Sequence, residues 1–505
     1  MKRTLLVALL LICASVLCAC GDALPAESPA PEVVSTPAPT VLVPLPQSSP
    51  EALPEETPKE PEAPEISPAP TAEPSETQTP TPTLTPAPSP TLAPTPVPTP
   101  VPTPAPTPRP AATPNPNADT HSLQYEDMKA MWLSQYDLAD IYAAGGAQRS
   151  REDFTARMAQ VLDNVKAEGF NTVILQLRPF ADSMYPSEYY PMSSFVTGRI
   201  GAAANYDPVA IAVELAHERE LSIHAWINPL RGMYEKEMDN VSARYPMRQW
   251  YDNAELRGKY IVAVGGRWYL NPAYEEVREL IRAGAEEALN LYDFDGLHMD
   301  DYFYPHTDAS FDADAYAGYK NSGGIMSLAD FRRNNVNILV EELYSTTHRS
   351  GGERLFGISP GGNSNTAYNS QYADIYSWCS KPGYVDYICP QVYWGLEHAT
   401  HDFLKVTREF QNMIKTDSVD LIIGMTFGKA YSKEDQWAGS GKDEWKQNDD
   451  ILLRCLQSTA QLDSCRGVAV FCYQYFYEPL SGEAVEETAA ERENFMTLFP
   501  NISWK

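Results

Sequence analysis

Residues 295–305 read Asp295-Gly296-Leu297-His298-Met299-Asp300-Asp301-Tyr302-Phe303-Tyr304-Pro305. The apolar positions of Gly296–Met299 predict a short strand, and alternation along it puts His298 and Asp300 on one face. Asp301 then opens a loop that continues through three aromatics to a proline. A strand that ends in an ionisable pair is costly to bury unless the pair has work to do. Ionising both adjacent carboxyls is unfavourable, and such repulsion raises the pKa of one of them towards a general acid's range.

Seven more strand-like runs flank this one: Met128–Leu133, Thr172–Leu177, Ser222–Ile227, Leu355–Ile358, Tyr384–Val392, Leu421–Met425 and Gly467–Tyr473. Helix-period stretches lie between several of them, at Phe154–Glu168, Pro208–Arg219, Tyr274–Leu291 and Leu328–Leu343. Asp207-Pro208 and Asn271-Pro272 look like N-caps with proline at the first helical position. Eight strands alternating with helices predict an α/β fold of the (β/α)8 TIM-like barrel type over residues 119–505. A doubly wound sheet is the alternative, but no glycine-rich phosphate fingerprint follows any strand. Long loops, Met233–Gly266 and His306–Ser327, follow strands, where barrel sites are built.

Polar side chains recur at the same strand ends. Gln176 and Arg178 close the second strand, with Asp182 in its loop. His224, Trp226 and Asn228 belong to the third, with Arg231 beyond. Gln391, Tyr393, Trp394 and Glu397 follow the sixth, and Gln474 follows the eighth. Asp300 and Asp301 are the catalytic candidates, with Asp182 or Glu397 as a possible second acid or base. Tyr185, Tyr189, Tyr190, Tyr302 and Tyr304 add aromatic faces of the kind that stack on sugar rings, while Phe303 suits the core. The substrate-binding candidates are therefore Gln176, Arg178, Tyr185, His224, Trp226, Asn228, Arg231, His298, Tyr302, Tyr304, Gln391, Tyr393 and Trp394.

The N-terminal part has a different character. Lys2 and Arg3 precede an apolar run, Leu5–Leu17, that reads as a signal peptide over residues 1–19. Leu17-Cys18-Ala19-Cys20 resembles a bacterial lipobox, which implies diacylglycerol on Cys20 and a stable membrane anchor. Residues 20–118 are rich in Pro, Thr and Glu, and 31 of the chain's 44 prolines fall between Leu24 and Pro116. Such a segment cannot bury enough apolar surface to fold and favours polyproline II, reaching roughly 300 Å when fully extended. It is expected to be a disordered spacer. The net charge of −29 disfavours nucleic acid and anionic lipid as electrostatic partners and is compatible with a neutral polymer. Five cysteines remain beyond Cys13, Cys18 and Cys20, and an odd number leaves at least one unpaired within the chain. A Cys455–Cys465 bridge is conceivable. No zinc-type cluster or EF-hand spacing occurs, so neither metal nor cofactor is expected.

From Asp127 to Tyr475 the chain resembles the glycosyl-hydrolase-like family 10 domain of lipoproteins. The resemblance rests on Met131-Trp132-Leu133, Asn171-Thr172-Val173, Gln176-Leu177-Arg178-Pro179, Ala181–Ser187, Tyr206-Asp207-Pro208, His224–Pro229, Asp295–Pro305, Gly357–Pro360 and Pro390–Trp394. One departure is Leu230-Arg231, where related sequences tend to carry Tyr-Arg. The resemblance implies a barrel that hydrolyses peptidoglycan glycan strands, particularly strands stripped of peptide, outside the cytoplasmic membrane and facing the cell wall. The alternative is a non-catalytic carbohydrate-binding lipoprotein on a degenerate barrel. A transporter's solute-binding protein fits less well, given the strand count and the spacer.

Overall fold

The computed structural model describes residues 122–300, 303–351 and 353–504. Cys20, the signal peptide, the spacer, Asp301 and Tyr302 lie outside the described residues. Eight parallel strands close a barrel: β1 (Met128–Leu133), β2 (Thr172–Arg178), β3 (Ser222–Ile227), β4 (Gly296–Asp300), β5 (Leu355–Ser359), β6 (Tyr387–Ile388), β7 (Asp420–Thr426) and β8 (Cys465–Phe471). Each strand pairs with its sequence neighbour, and β1 closes on β8 with Met128 opposite Gly467. A closed barrel excludes the doubly wound alternative. Most strand ends match the sequence reading within two residues. The sixth is much shorter than Tyr384–Val392, because Pro390 lacks the N–H that a longer ladder would use.

Alternation sorts each strand into two faces. Met131, Val173, Leu175, Ile223, Leu297, Met299, Ile358 and Val470 join the core cluster that includes residues of the surrounding helices. The other set fills the barrel, as Trp132 against His298 and Phe471, and His224 against Tyr387, make plain. Gly357 is required by this filling, because a Cβ there would stand 1.9 Å from Cζ of Tyr387.

Helices Arg151–Ala167, Pro208–His217, Glu275–Leu291 and Leu328–Arg349 cover the outside. Asp207 caps the second of these by accepting from the N–H groups of Val209 and Ala210, with Pro208 at the first turn. Asn271 does not cap the third, which begins at Glu275 after Tyr274. Its Oδ1 instead accepts from Ala273 N at 3.1 Å and turns the chain before the helix. The segment Met233–Gly266 is more ordered than a loop. It contributes to a three-stranded antiparallel sheet (Arg231–Tyr234, Ile261–Val264, Arg267–Leu270) and holds the helix Pro246–Asp252. His306–Ser327 holds the helix Ala313–Asn321.

Residues 122–127 cross the N-terminal end of the barrel. Leu123 N donates to Asp295 Oδ1 at 2.5 Å and the Tyr125 hydroxyl to Glu220 O at 2.6 Å, both just ahead of strands. Asp295 Oδ2 also accepts from Ile223 N at 2.8 Å. The first residue of the deciding stretch is thus a structural clip at the end opposite the loops that follow the strands. All five cysteines of the barrel are buried and unpaired, so the Cys455–Cys465 bridge is not formed.

Candidate active site

Asp300 is the last residue of β4, faces Ser359 across the ladder, and is only 4% exposed. The Asn228 amide reaches it from just past β3, with Nδ2 donating to Asp300 Oδ1. Gln176 on β2 completes the row, its Nε2 donating to Asn228 Oδ1 at 3.0 Å and to Trp226 O at 3.2 Å. Three neighbouring strands thus supply one chain of amides that ends on a carboxylate. Trp226 is also buried on this face, and its indole N–H has no acceptor among the described residues. A buried donor without a partner costs free energy until a ligand supplies one.

Deeper in the barrel, Tyr387 Oη lies 2.9 Å from His224 Nδ1 and 2.8 Å from His298 Nδ1, and His298 Nε2 lies 2.9 Å from Ser359 Oγ. Burial drives the His224 imidazole down to about 4 and holds His298 well below its ordinary range, so both rings are neutral at pH 7. The tautomers follow. Among the described residues His224 Nε2 has no partner, and a bare lone pair costs less there than an unmade N–H, so the proton sits on Nδ1 and points at Tyr387. The tyrosine then donates to His298 Nδ1, and His298 donates to Ser359. His224 and His298 are both fully buried and committed to this chain, so they support the mouth from below rather than contact a substrate.

Other sequence candidates depart from the expectation. A bulge between Gln176 and Arg178 breaks the alternation of β2 and puts Arg178 opposite Ile227, on the outer face. There its guanidinium lies 3.9 Å above the Tyr190 ring and against Gly284 of the helix Glu275–Leu291. Tyr185 turns the same way, its hydroxyl donating to Glu287 Oε2 at 2.9 Å. Tyr304 is buried between Phe311 and Tyr372. These three serve packing behind the barrel wall.

The remaining candidates line loops at the C-terminal ends of the strands. Asp182 is buried, accepts from Phe180 N at 2.8 Å, and is pushed up to about 6 by burial, which outweighs hydrogen bonds from Ser193 and the backbone. It organises the loop after β2. Glu397 is exposed, and its loop is pinned where the N–H groups of Leu396 and Glu397 donate to Glu444 at 2.9 and 3.0 Å. Gln391 Nε2 donates to Ser359 O at 3.2 Å. Tyr393 stacks on Phe471 with centroids 5.8 Å apart, and Trp394 stacks on His401 at 5.0 Å. Arg231 lies 4.8 Å over the Phe180 ring. Among the described residues, no group of three or more His, Cys, Asp or Glu side chains could hold a metal ion.

The model of the family described as glycosyl hydrolase-like 10 matches residues 127–439. The chain belongs to the glycosyl hydrolase-like 10 family. Within curated proteins it is 35% identical over 318 residues to the glycosyl hydrolase YngK of Bacillus subtilis, covering 59% of this chain and 60% of that one. It is 28% identical over 389 residues to the glycosyl hydrolase DigH of Escherichia coli K12, covering 71% of this chain and 86% of that one. Among solved structures, the glycoside hydrolase domain of PgaB from Bordetella bronchiseptica aligns at 14% identity with a TM-score of 0.48, over 73% of this chain and 99% of that one.

For this member of the glycosyl hydrolase-like 10 family, sequence reading missed several residues that shape the mouth. Tyr387 and Ser359 share the inward faces of β6 and β5, and extending the alternation from Gln391 and Gly357 would have found them. Trp132 was visible as the bulkiest inward residue of β1. Phe180 and Arg267 lie in a loop and a hairpin, where no periodicity marks a facing direction.

Proposed function

We propose that this chain is a glycoside hydrolase of the cell surface, anchored by lipid on Cys20, that cuts peptide-poor glycan strands of peptidoglycan. The observation that carries the reading is Asp300, a buried carboxylate at the C-terminal end of a barrel strand, held by Asn228, which Gln176 orients in turn, while the buried Trp226 indole N–H on the neighbouring strand has no acceptor among the described residues. Catalysis at this end is the rule for the barrel architecture. Family membership and relatives named as glycosyl hydrolases support glycoside cleavage as the chemistry. Asp300 and Asp301 supply its two carboxyl groups, the number most glycosidases use. Gln391, Tyr393 and Trp394 lie on the rim, where polar groups and ring faces suit a sugar chain.

Mass spectrometry of products from defined peptide-free and peptide-bearing strands tests the substrate. Release of reducing ends from the peptide-free strand, abolished in Asp300→Asn, is the expected result. Tight binding without any release would instead identify a carbohydrate-binding protein on a degenerate barrel. Unchanged membrane association and processing in Cys20→Ala would remove the anchor from the proposal.

A further inference from the structure

In a chain with 29 more acidic than basic residues, two arginines converge on one aromatic ring beside the mouth. Arg231 and Arg267 lie 4.8 and 4.3 Å over Phe180. Arg267 also lies 3.9 Å over Tyr234, which is half exposed. Phe180 in turn stacks on Phe195 at 6.2 Å, and Phe195 meets the exposed Tyr136 edge-on at 5.7 Å. The strip is built from the segments that follow β1, β2 and β3, all at the C-terminal end. Its position relative to the reacting carboxylate is set by the chain. Arg231 is three residues from Asn228, which contacts Asp300, so their Cα atoms are no more than about 11 Å apart.

Bringing two guanidinium groups onto one ring costs like-charge repulsion, and cation–π attraction to Phe180 offsets part of it. A carboxylate between them would add attraction to both guanidinium groups. Arg267 uses one nitrogen on Gly232 O at 2.8 Å. A guanidinium has five donors, so capacity for a carboxylate remains.

We propose that Arg231 and Arg267 on Phe180 form an anion-recognising subsite for a carboxylate-bearing sugar next to the scissile bond. Resting on the function proposed above, the ligand group is the lactyl carboxylate of an N-acetylmuramic acid residue. That carboxylate is free only where the peptide has been removed. When a peptide is attached it becomes an amide, loses its charge and gains bulk, so the subsite discriminates in favour of stripped strands.

Calorimetry on the full chain carrying Asp300→Asn tests this with three tetrasaccharides. One alternates N-acetylglucosamine with N-acetylmuramic acid, one is its N-methylamide, and one is neutral tetra-N-acetylglucosamine. The acid is expected to bind about tenfold more tightly than the amide, with the difference shrinking as salt is raised. Adding Arg231→Gln, at a half-buried position, should erase the acid–amide difference while melting stays unchanged. Arg267→Lys keeps the charge if Arg267→Gln fails to fold, and should weaken the preference through loss of the planar fork. An acid–amide ratio of one in the parent, or one unmoved by Arg231→Gln, overturns the subsite. If the enzyme with Asp300 intact still cleaves peptide-free strands in that case, the glycosidase reading survives. If none of the saccharides binds or is cleaved, both fall together.

Discussion

Asn228 donates its side-chain N–H to Asp300 Oδ1, and the orientation of that amide is dictated from both sides. The Asn228 Nδ2 donor faces Asp300, and this turns Oδ1 towards the Gln176 amide donor 3.0 Å away. Hydrogen bonds to charged groups contribute about 1.5–3 kcal/mol, and each 1.36 kcal/mol is tenfold in rate. Asn228→Ala is therefore expected to lower kcat about 10- to 100-fold with little loss of melting temperature. Asn228→Asp should do more, placing a second negative charge against Asp300 and moving the acid limb of the pH–rate profile upwards. An Asn228→Asp profile that overlays the parent's would show that Asp300 does not govern that limb.

Two buried carboxyls make stability depend on pH with a definite sign. Burial pushes Asp182 up to about 6 and Glu491 up to about 7, from ordinary values near 4 and 4.5. In that window the native state holds protons that the unfolded chain has released. Stability therefore falls as pH rises from about 4 to 7, by about 1.4 kcal/mol for each unit of difference. His224 acts oppositely. Held down to about 4 by burial, it leaves the unfolded chain the better proton binder between 4 and 6.5, so its contribution is lost as pH falls. Asp182→Asn and Glu491→Gln should match the parent at pH 4, where the replaced carboxyls are protonated, and exceed it at pH 7.5. Melting curves across that range check both, and parallel parent and variant curves would contradict the assignment.

Arg332 is wholly buried with Asp312, at 2.6 Å, and also reaches the carbonyls of Thr307 and Asp308 and the Tyr372 hydroxyl. From the helix Leu328–Arg349 it ties down Thr307, Asp308 and Asp312 in the connection that follows β4. Removing one partner of a buried pair strands the other charge at a cost of about 3–5 kcal/mol. Arg332→Met should lose that much in urea unfolding, and adding Asp312→Leu should restore most of it. The refolded double variant is still expected to show reduced kcat, because Thr307 and Asp308 lose their tether. Full activity in the double variant would separate this ion pair from the site.

The barrel was legible because its strands alternate regularly between core and interior, and because each helix carries its own period. Asp300 was legible for the same reason, as an ionisable residue closing an apolar strand. Arg178 was misread because a bulge changes facing without changing composition. Neither Gln176 nor Leu177 signals the extra residue. Tyr185 and Tyr304 were misread because an aromatic near a strand end looks alike whether it turns to the mouth or behind the wall. What decides between them is a distant partner, Glu287 for Tyr185 and the Tyr372 ring for Tyr304. The Arg231–Phe180–Arg267 contact joins residues from two separate connections, and nothing in local sequence announces such a meeting.

The chemistry expected at Asp300 and Asp301 follows from the sugars of the proposed substrate, which carry 2-acetamido groups. Some hydrolases of such sugars let that amide attack the anomeric carbon and need no protein nucleophile. One carboxylate then orients and polarises the amide, and a second protonates the leaving oxygen. Asp300 closes β4 and Asp301 follows it in sequence, which suits this division, with Asn228 fixing Asp300. The competing mechanism makes Asp300 a direct nucleophile, with an acid from another loop. Loss of acid–base help costs about 10² to 10⁴ in rate, so Asp300→Asn and Asp301→Asn should each fall at least that far while keeping the parent's melting temperature. A thiazoline analogue of the acetamido sugar, which mimics the cyclised intermediate, should inhibit the parent competitively and bind Asp300→Asn more weakly. A covalent glycosyl adduct on Asp300, trapped with a fluorosugar and located by peptide mass spectrometry, would decide for the direct nucleophile and end the substrate-assisted assignment.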